Sequence, residues 1–319
     1  MPRPRTLLNV VLFGVVVAFI GWTASDLAAR WQQSPNTEVS IGWLAASILP
    51  ICVVSLCQGF AWVSLVRHLA QRPVPLRPGL ELLFASMLGR YVPAKLGMAA
   101  VLVTSAGRIG QPAPLLLSAM VIQALVYTLL GLGMGVAAIS LSEGQLPPAI
   151  VGLRSDLGVV ALVGLVLGIG VLTVVDRSRY PARVRDKLGV GGSGPLINVA
   201  HIGWLVIVWI GWWAHGAMVV VAVGGTWTNA VDVAGFFVLA PVIGFVALVS
   251  PGGLGVREAV VAIGLAPAVG GAGAAIAAIV ARVVSLGVDV AMWAAFRFRR
   301  GAATASPADA EDPAREARR

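Results

Sequence analysis

An all-α, polytopic membrane protein is the fold class this sequence predicts, and three observations predict it. The 319 residues are 58% hydrophobic and only 12% charged, whereas a soluble domain is about half apolar and about one quarter charged. Mean hydropathy is +0.89. Apolar runs of about 20 residues, the helix length that crosses the hydrocarbon core, recur along the chain. One transmembrane domain over residues 1–300 accounts for them. The tail over 301–319 is small, polar and of mixed charge without apolar periodicity, and reads as disordered.

Six runs read as full spans, about 7–27, 41–66, 114–141, 157–175, 201–223 and 273–296. The first resembles a secretory signal, with Arg3 and Arg5 before an apolar core. It lacks a clear small-x-small cleavage site before Arg30, so it reads as an uncleaved span. Two longer apolar regions, about 79–106 and 231–269, are interrupted by proline and glycine.

The net charge of +9 sits in short loops. Arg3 and Arg5, then Arg67, Arg72 and Arg77, then the basic loop 176–187, then Arg297, Arg299 and Arg300 mark one side. The loops 28–40, 142–156 and 224–230 on the other side are poor in Lys and Arg. This asymmetry predicts a multi-pass protein of a bacterial-type inner membrane with both termini cytoplasmic. Anionic lipid headgroups are the expected partner for the charge, and no folded basic domain offers itself to nucleic acid. The alternation closes only if each broken region returns to its starting side. The first, 28 residues long, is shorter than the ~40 that two crossings need, so a re-entrant pair of half-helices is expected. The second, 39 residues long, fits either a re-entrant pair or a full hairpin.

The two breaks share their chemistry. "GRYVPAKLG" (89–97) and "SPGGLGVRE" (250–258) each hold a proline, flanking glycines and basic residues. Proline removes an amide donor and glycine weakens a helix, so both spots should unwind. Unwound backbone at membrane depth belongs inside protein or beside a water-filled cavity. Such interrupted segments in both halves of a chain point to a transporter's binding site. A half-helix that restarts after a break presents unpaired amides and partial positive charge. Arg90, Lys95 and Arg257 add full charges suited to a phosphate-bearing headgroup. In the last span Arg282 and Asp289, seven residues apart, share one helix face. With Arg257 and Glu258 they are candidates for one polar cluster. Glu258 has Arg257, Arg282 or a headgroup amine as its candidate partner. Arg257 and Glu258 stand either deep beside a cavity or at the membrane edge, where charge costs little.

Other features read as structural. Cys52 and Cys57 point about 140° apart on a helix and should not pair. His201 and His215 are too far apart on one helix to share a metal. Trp204, Trp209, Trp212 and Trp213 suit packing or an interface belt. "GLGMG" (131–135) suits close helix packing. Glu81 and Asp232 suit helix N-terminal placement. No nucleotide, nucleophile-elbow or haem motif is present, so neither an enzyme nor a cofactor is expected.

With "YVPAKLG" and "PGGLGVRE" in view, the chain resembles the flippase-like family of the lysylphosphatidylglycerol synthase transmembrane domain, here as a stand-alone membrane protein. The resemblance covers most of residues 7–300. It departs at Ala94, where the family usually has glycine, and at Met98, where many members are acidic. It implies movement of a lipid or lipid-linked headgroup between leaflets, with an anionic phospholipid or a polyprenyl-phosphate-linked sugar as cargo. It also implies roles for Arg90, Pro93 and Lys95, and for Pro251, Gly252, Gly253, Arg257 and Glu258. With Tyr91, Arg282 and Asp289 these form the candidate substrate-binding set. Two alternatives stand beside transport. One is a membrane-embedded glycosyltransferase, for which the early external loop offers only Glu38 as an acid. The other is a non-transporting partner of a cell-envelope glycosyltransferase or lipid-modifying enzyme.

Overall fold

The computed structural model of the chain describes Ser25 and residues 39–91, 96–142, 147, 154–174, 176–247, 253 and 255–298. The expected first span and the C-terminal tail lie outside the described residues. So do Pro93, Lys95, Pro251 and Gly252. The described residues form helices throughout: α1 Ile41–Ala46, α2 Ile48–Ala70, α3 Leu76–Leu88, α4 Leu96–Ser105, α5 Ala113–Leu141, α6 Arg154–Val174, α7 Ala182–Leu188, α8 Val199–Ala222, α9 Trp227–Val233, α10 Gly235–Val246 and α11 Val256–Phe298. Five stretches are long and apolar enough to cross a membrane: Ile41–Ala70, Ala113–Leu141, Val199–Ala222, Trp227–Val246 and Val256–Phe298. An all-α multi-pass membrane fold results. Every full span expected within the described residues is present as a helix.

Local chemistry fixes the ends. The Asn198 side chain accepts from the His201 amide at 2.8 Å and caps α8. Pro112 and Pro114 start α5, where a missing amide donor is harmless. α7 stops at Gly189 in left-handed conformation. The "GLGMG" glycines admit three neighbours onto α5. A Cβ at Gly131 would strike Trp209 of α8 and Val242 of α10, one at Gly133 would strike Leu165 of α6, and one at Gly135 would strike Leu239 of α10. Small residues let helices approach where lipid offers no hydrophobic drive to do so.

Polar contacts sort the helix ends onto two faces as the loop charges require. On one face the Ser40 amide donates to Ala222 O at 2.8 Å, joining the start of α1 to the end of α8. On the other, basic face, the fully buried Arg177 donates to His68 O at 2.9 Å and Ser193 O at 2.8 Å. Its fork ties the loop before α8 to the carbonyl end of α2. On the same face Glu81 meets Arg297 at 3.3 Å and Arg108 at 3.7 Å. Glu81 was expected to serve a helix N-terminus. Instead it sits buried in the second turn of α3 and joins α3, the end of α4 and the end of α11. Asp232 likewise lies at the C-terminal end of α9 rather than at a helix start.

Both broken regions are re-entrant. The first enters from the basic face as α3, turns through the 3-10 segment Gly89–Tyr91, and returns as α4 to Arg108 beside Glu81. At 13 and 10 residues, these helices reach about 20 Å and 15 Å, short of the ~30 Å core. The second enters from the opposite face. α10 starts against the end of α5, where Gly235 meets Ile139, and stops at mid-depth, where Gly244 meets Arg257 and Gly253. The first limb of α11 then returns to Val269, which packs against Gly225 just beyond α8. This settles the two readings of that region in favour of the re-entrant pair. Backbone closeness tightens both turns. A Cβ at Gly89 would lie 2.5 Å from Met98 N, and one at Gly253 would lie 2.8 Å from Gly244 Cα.

α11 has 43 residues, about 65 Å if straight, twice the core thickness. Gly270 (φ 74°, ψ 163°) divides it into a returning limb and a spanning limb, three residues after Pro267. That backbone region belongs almost exclusively to glycine. No atom lies within 4 Å of a Cβ built there, so Gly270→Ala meets strain and no clash. The expected cost is about 1–3 kcal/mol, read as a lowered unfolding midpoint in detergent. An unchanged midpoint would show that the bend does not depend on this conformation.

Candidate functional site: a cationic cavity between the two breaks

The two turns meet in the middle of the protein. A cavity of about 280 Å³ is lined from the first region by Ser86, Arg90 and Met98, and from the second by Gly244 and Arg257. The spanning limb of α11 contributes Ser285 and Asp289. Most of the remaining wall is apolar and comes from α2 and α5. Such a volume lies just below the ~300–1,000 Å³ of pockets that enclose drug-sized ligands. It suits a headgroup and not a whole lipid.

The depth of Arg257 follows from its neighbour. Its guanidinium stands 5.1 Å from the Trp212 ring centroid. Trp212 lies 13 residues from Val199 and 10 from Ala222, the ends of α8, hence about 20 Å and 15 Å from them. Arg257 is therefore at mid-depth, and the membrane-edge placement is excluded. A desolvated guanidinium over the indole face gains about 2 kcal/mol from cation–π attraction. It has no ion-pair partner within 4.0 Å among the described residues.

The other charges are paired, one pair between the first turn and α11 and one between the two limbs of α11. Arg90 Nη2 donates to Asp289 Oδ2, and the Tyr91 hydroxyl donates to the same oxygen at 3.1 Å. Arg282 Nε lies 3.6 Å from Glu258 Oε1, and its guanidinium lies 5.6 Å from the Tyr91 centroid. Arg282 and Asp289 thus share a face, as their spacing predicts, yet each pairs with a re-entrant segment rather than with the other. The choice for Glu258 falls on Arg282. A second, smaller space of about 20 Å³ adjoins Arg257 and is lined by Glu258, Arg282 and Phe237 among others. Among the described residues five charged groups surround the junction: Arg90, Arg257 and Arg282 against Glu258 and Asp289. Three cations minus two anions leaves +1 among them. Charge buried at this depth costs a few kcal/mol unless paired, and an anionic ligand offsets that cost.

Two half-helices begin at this cavity. Met98 is the third residue of α4 and Arg257 the second of α11. Their N-terminal partial charges add to the cationic field.

Sequence reasoning passed over several lining residues. Ser55, Gln58 and Trp62, at spacings of three and four, put one stripe of α2 on the cavity, and Gln123 faces it from α5. Two glutamines inside apolar spans were the available signal, because polar side chains there usually face the bundle interior. Of the two readings of the tryptophans, packing holds for Trp209 and Trp212. Both are buried at mid-helix, Trp209 with its ring 4.2 Å from that of Tyr127. His201 and His215 are buried, each bonded through Nδ1 to a backbone carbonyl at 3.0 Å, Ala61 O and Ser47 O respectively. Cys52 and Cys57 are both free.

This is the architecture of a membrane protein organised around two opposed re-entrant hairpins and a shared cationic cavity. Residues 7–292 match the family model of the lysylphosphatidylglycerol synthase TM region. The chain belongs to that family. No curated protein matches it significantly.

Proposed function

We propose that the protein is a lipid translocase, moving an anionic phospholipid or a polyprenyl-phosphate-linked sugar between leaflets. One observation carries the reading: Arg257 stands at mid-depth in the cavity wall with its guanidinium on Trp212 and no carboxylate within ion-pair distance among the described residues. A headgroup phosphate supplies the missing anion and matches the guanidinium fork. Arg90 and the two half-helix N-termini add to the attraction. The cavity takes the headgroup, and the acyl or prenyl chains stay in lipid. The Lys and Arg distribution supports a cytoplasmic side for the basic face and both chain termini, in a bacterial-type inner membrane. Membrane lipids are the direct partners. An enzyme that makes or consumes the lipid, such as a glycosyltransferase, is the functional neighbour. The reading assigns no covalent chemistry and no cofactor.

Purified protein reconstituted into vesicles tests it. Headgroup-labelled phosphatidylglycerol and a labelled polyprenyl phosphohexose start in one leaflet, and loss of the asymmetry is followed against protein-free vesicles. At least one should redistribute faster with protein present. Retention of both in the starting leaflet would refute the reading.

A further inference from the structure

The cavity is not walled alike all round. Ile51 and Trp62 of α2 and Leu83 and Ser86 of α3 line it and are buried. Another part of the wall reaches the protein surface. Val121 of α5 lines the cavity yet is 62% exposed, and it is the one exposed residue among the described lining. Met98 of α4, Met120 and Ala124 of α5 and Phe245 of α10 line it half-buried.

The re-entrant geometry accounts for this opening. α5 crosses the whole core, whereas α10 and α4 each cover part of it. The contacts of α10 step along α5 one turn at a time: Leu239 at Gly135, Val242 at Gly131, then Phe245 with its ring 6.4 Å from that of Tyr127. α10 ends at Val246. The next turn of α5 holds Met120, Val121 and Ala124, where that row of contacts has run out. α4 packs on α5 from the basic face and begins only at Leu96. Val121 is eight residues from Ala113 and Phe245 ten from Gly235, about 12 Å and 15 Å along their helices. In a core ~30 Å thick, the opening lies at mid-depth.

Its rim is apolar, from Met98, Met120, Val121, Ala124 and Phe245, while Ser86, Arg90, Arg257 and Asp289 lie on the same cavity's wall. Hydrocarbon outside and a phosphate inside require such a division, because a polar rim would be left unsatisfied in lipid. Gly244, the neighbour of Phe245, lies against the Arg257 side chain. The cation therefore stands close behind the rim.

We propose that this opening is a lateral portal, through which the hydrocarbon chain of the lipid passes between α4, α5 and the tip of α10 while its headgroup occupies the cavity, with Val121 on the rim. This rests on the translocase reading and adds the route. A cavity of about 280 Å³ holds a headgroup, so the chain has to leave it, and here it leaves into hydrocarbon. Chains of both leaflets reach mid-depth, so the chain can swing from one leaflet to the other without withdrawing from the portal. Met98 and Met120, unbranched and adaptable, can move aside for it.

The test uses the full-length protein in vesicles with the two labelled lipids described above. Val121→Trp is compared with Leu125→Trp. Leu125 is 47% exposed one turn further along α5 and does not line the cavity, so both changes add the same bulk to an exposed site. Val121→Trp should slow whichever lipid the wild type moves by about tenfold, the scale of an overpacked contact. Leu125→Trp should stay within about twofold of the wild type, as for an ordinary surface change. Folding is removed from the question by Val121→Cys, reconstituted first and then alkylated. N-(1-pyrenyl)maleimide should slow it as the tryptophan does and N-ethylmaleimide much less, with treated wild type as the control for Cys52 and Cys57. Equal rates in the two tryptophan variants would overturn the portal and leave the translocase reading standing, as would pyrenyl-modified protein that transports like the unmodified variant. Failure of the wild type to move either lipid would remove both.

Discussion

Arg257→Gln will reduce translocation of an anionic lipid by one to two orders of magnitude and leave the fold nearly intact. Glu258, the adjacent carboxylate, already has Arg282 at 3.6 Å, so removing Arg257 strands no partner within ion-pair distance among the described residues. The fold loses the contact with Trp212, about 2 kcal/mol. It also sheds the cost of a guanidinium held at mid-depth, and these effects oppose each other. The ligand loses much more. Each charge-assisted hydrogen bond to phosphate contributes about 1.5–3 kcal/mol, or about ten- to a hundredfold in affinity. Arg257→Lys keeps the charge but loses the fork and the flat face, so it should fall between the two. Initial rates in vesicles and unfolding midpoints in detergent separate the effects. A variant that transports normally, or one that fails to fold, would remove Arg257 from the ligand site.

Much of this was legible in the sequence because the signals are local. Proline and glycine weaken a helix wherever they sit, so both breaks show in "GRYVPAKLG" and "SPGGLGVRE". Loop charge fixes sidedness without knowledge of packing. It required each broken region to return to its own side, and the helices do so. The spacing of Arg282 and Asp289 predicts a shared face on one helix. What stayed hidden depends on rotation and long-range contact. Glu81 looks like a residue at a helix start until Arg297, 216 positions away, meets it across the basic face. The tryptophans of α8 suit packing or an interface belt equally until the helix is placed, and Trp209 and Trp212 then pack at its centre. The re-entrant character of the second region could not follow from its length, since 39 residues suffice for two crossings. It follows from Gly244 meeting Gly253 at mid-depth and Val269 returning to Gly225.

Asp289→Asn is expected to have the largest effect on stability. Asp289 is 7% exposed and joins the turn of the first re-entrant region to α11 through Arg90 and Tyr91. Removing one partner of a buried ion pair costs about 3–5 kcal/mol, because the remaining charge is left uncompensated. Arg90 keeps 26% of its side-chain surface accessible, so water in the cavity can screen it. The expected loss is therefore about 2–3 kcal/mol. Arg90→Gln reverses the imbalance. It leaves a carboxylate with Tyr91 as its described hydrogen-bond donor, at a similar cost. Combining the two changes replaces the ion pair with a glutamine and an asparagine that can bond to each other. Coupling energies of about 0.5–3 kcal/mol are usual for contacting residues, so the double variant should be more stable than the sum of the single losses. Transport should not recover with the fold, because the cavity has then lost Arg90 as an anion-binding charge. Recovery of both would make the pair a purely structural clamp. A double variant no better than additive would show that Arg90 and Asp289 are not energetically coupled. Rescue of stability without rescue of transport is the outcome that requires Arg90 to serve two roles, in the junction between the re-entrant region and α11 and in the site that receives the headgroup.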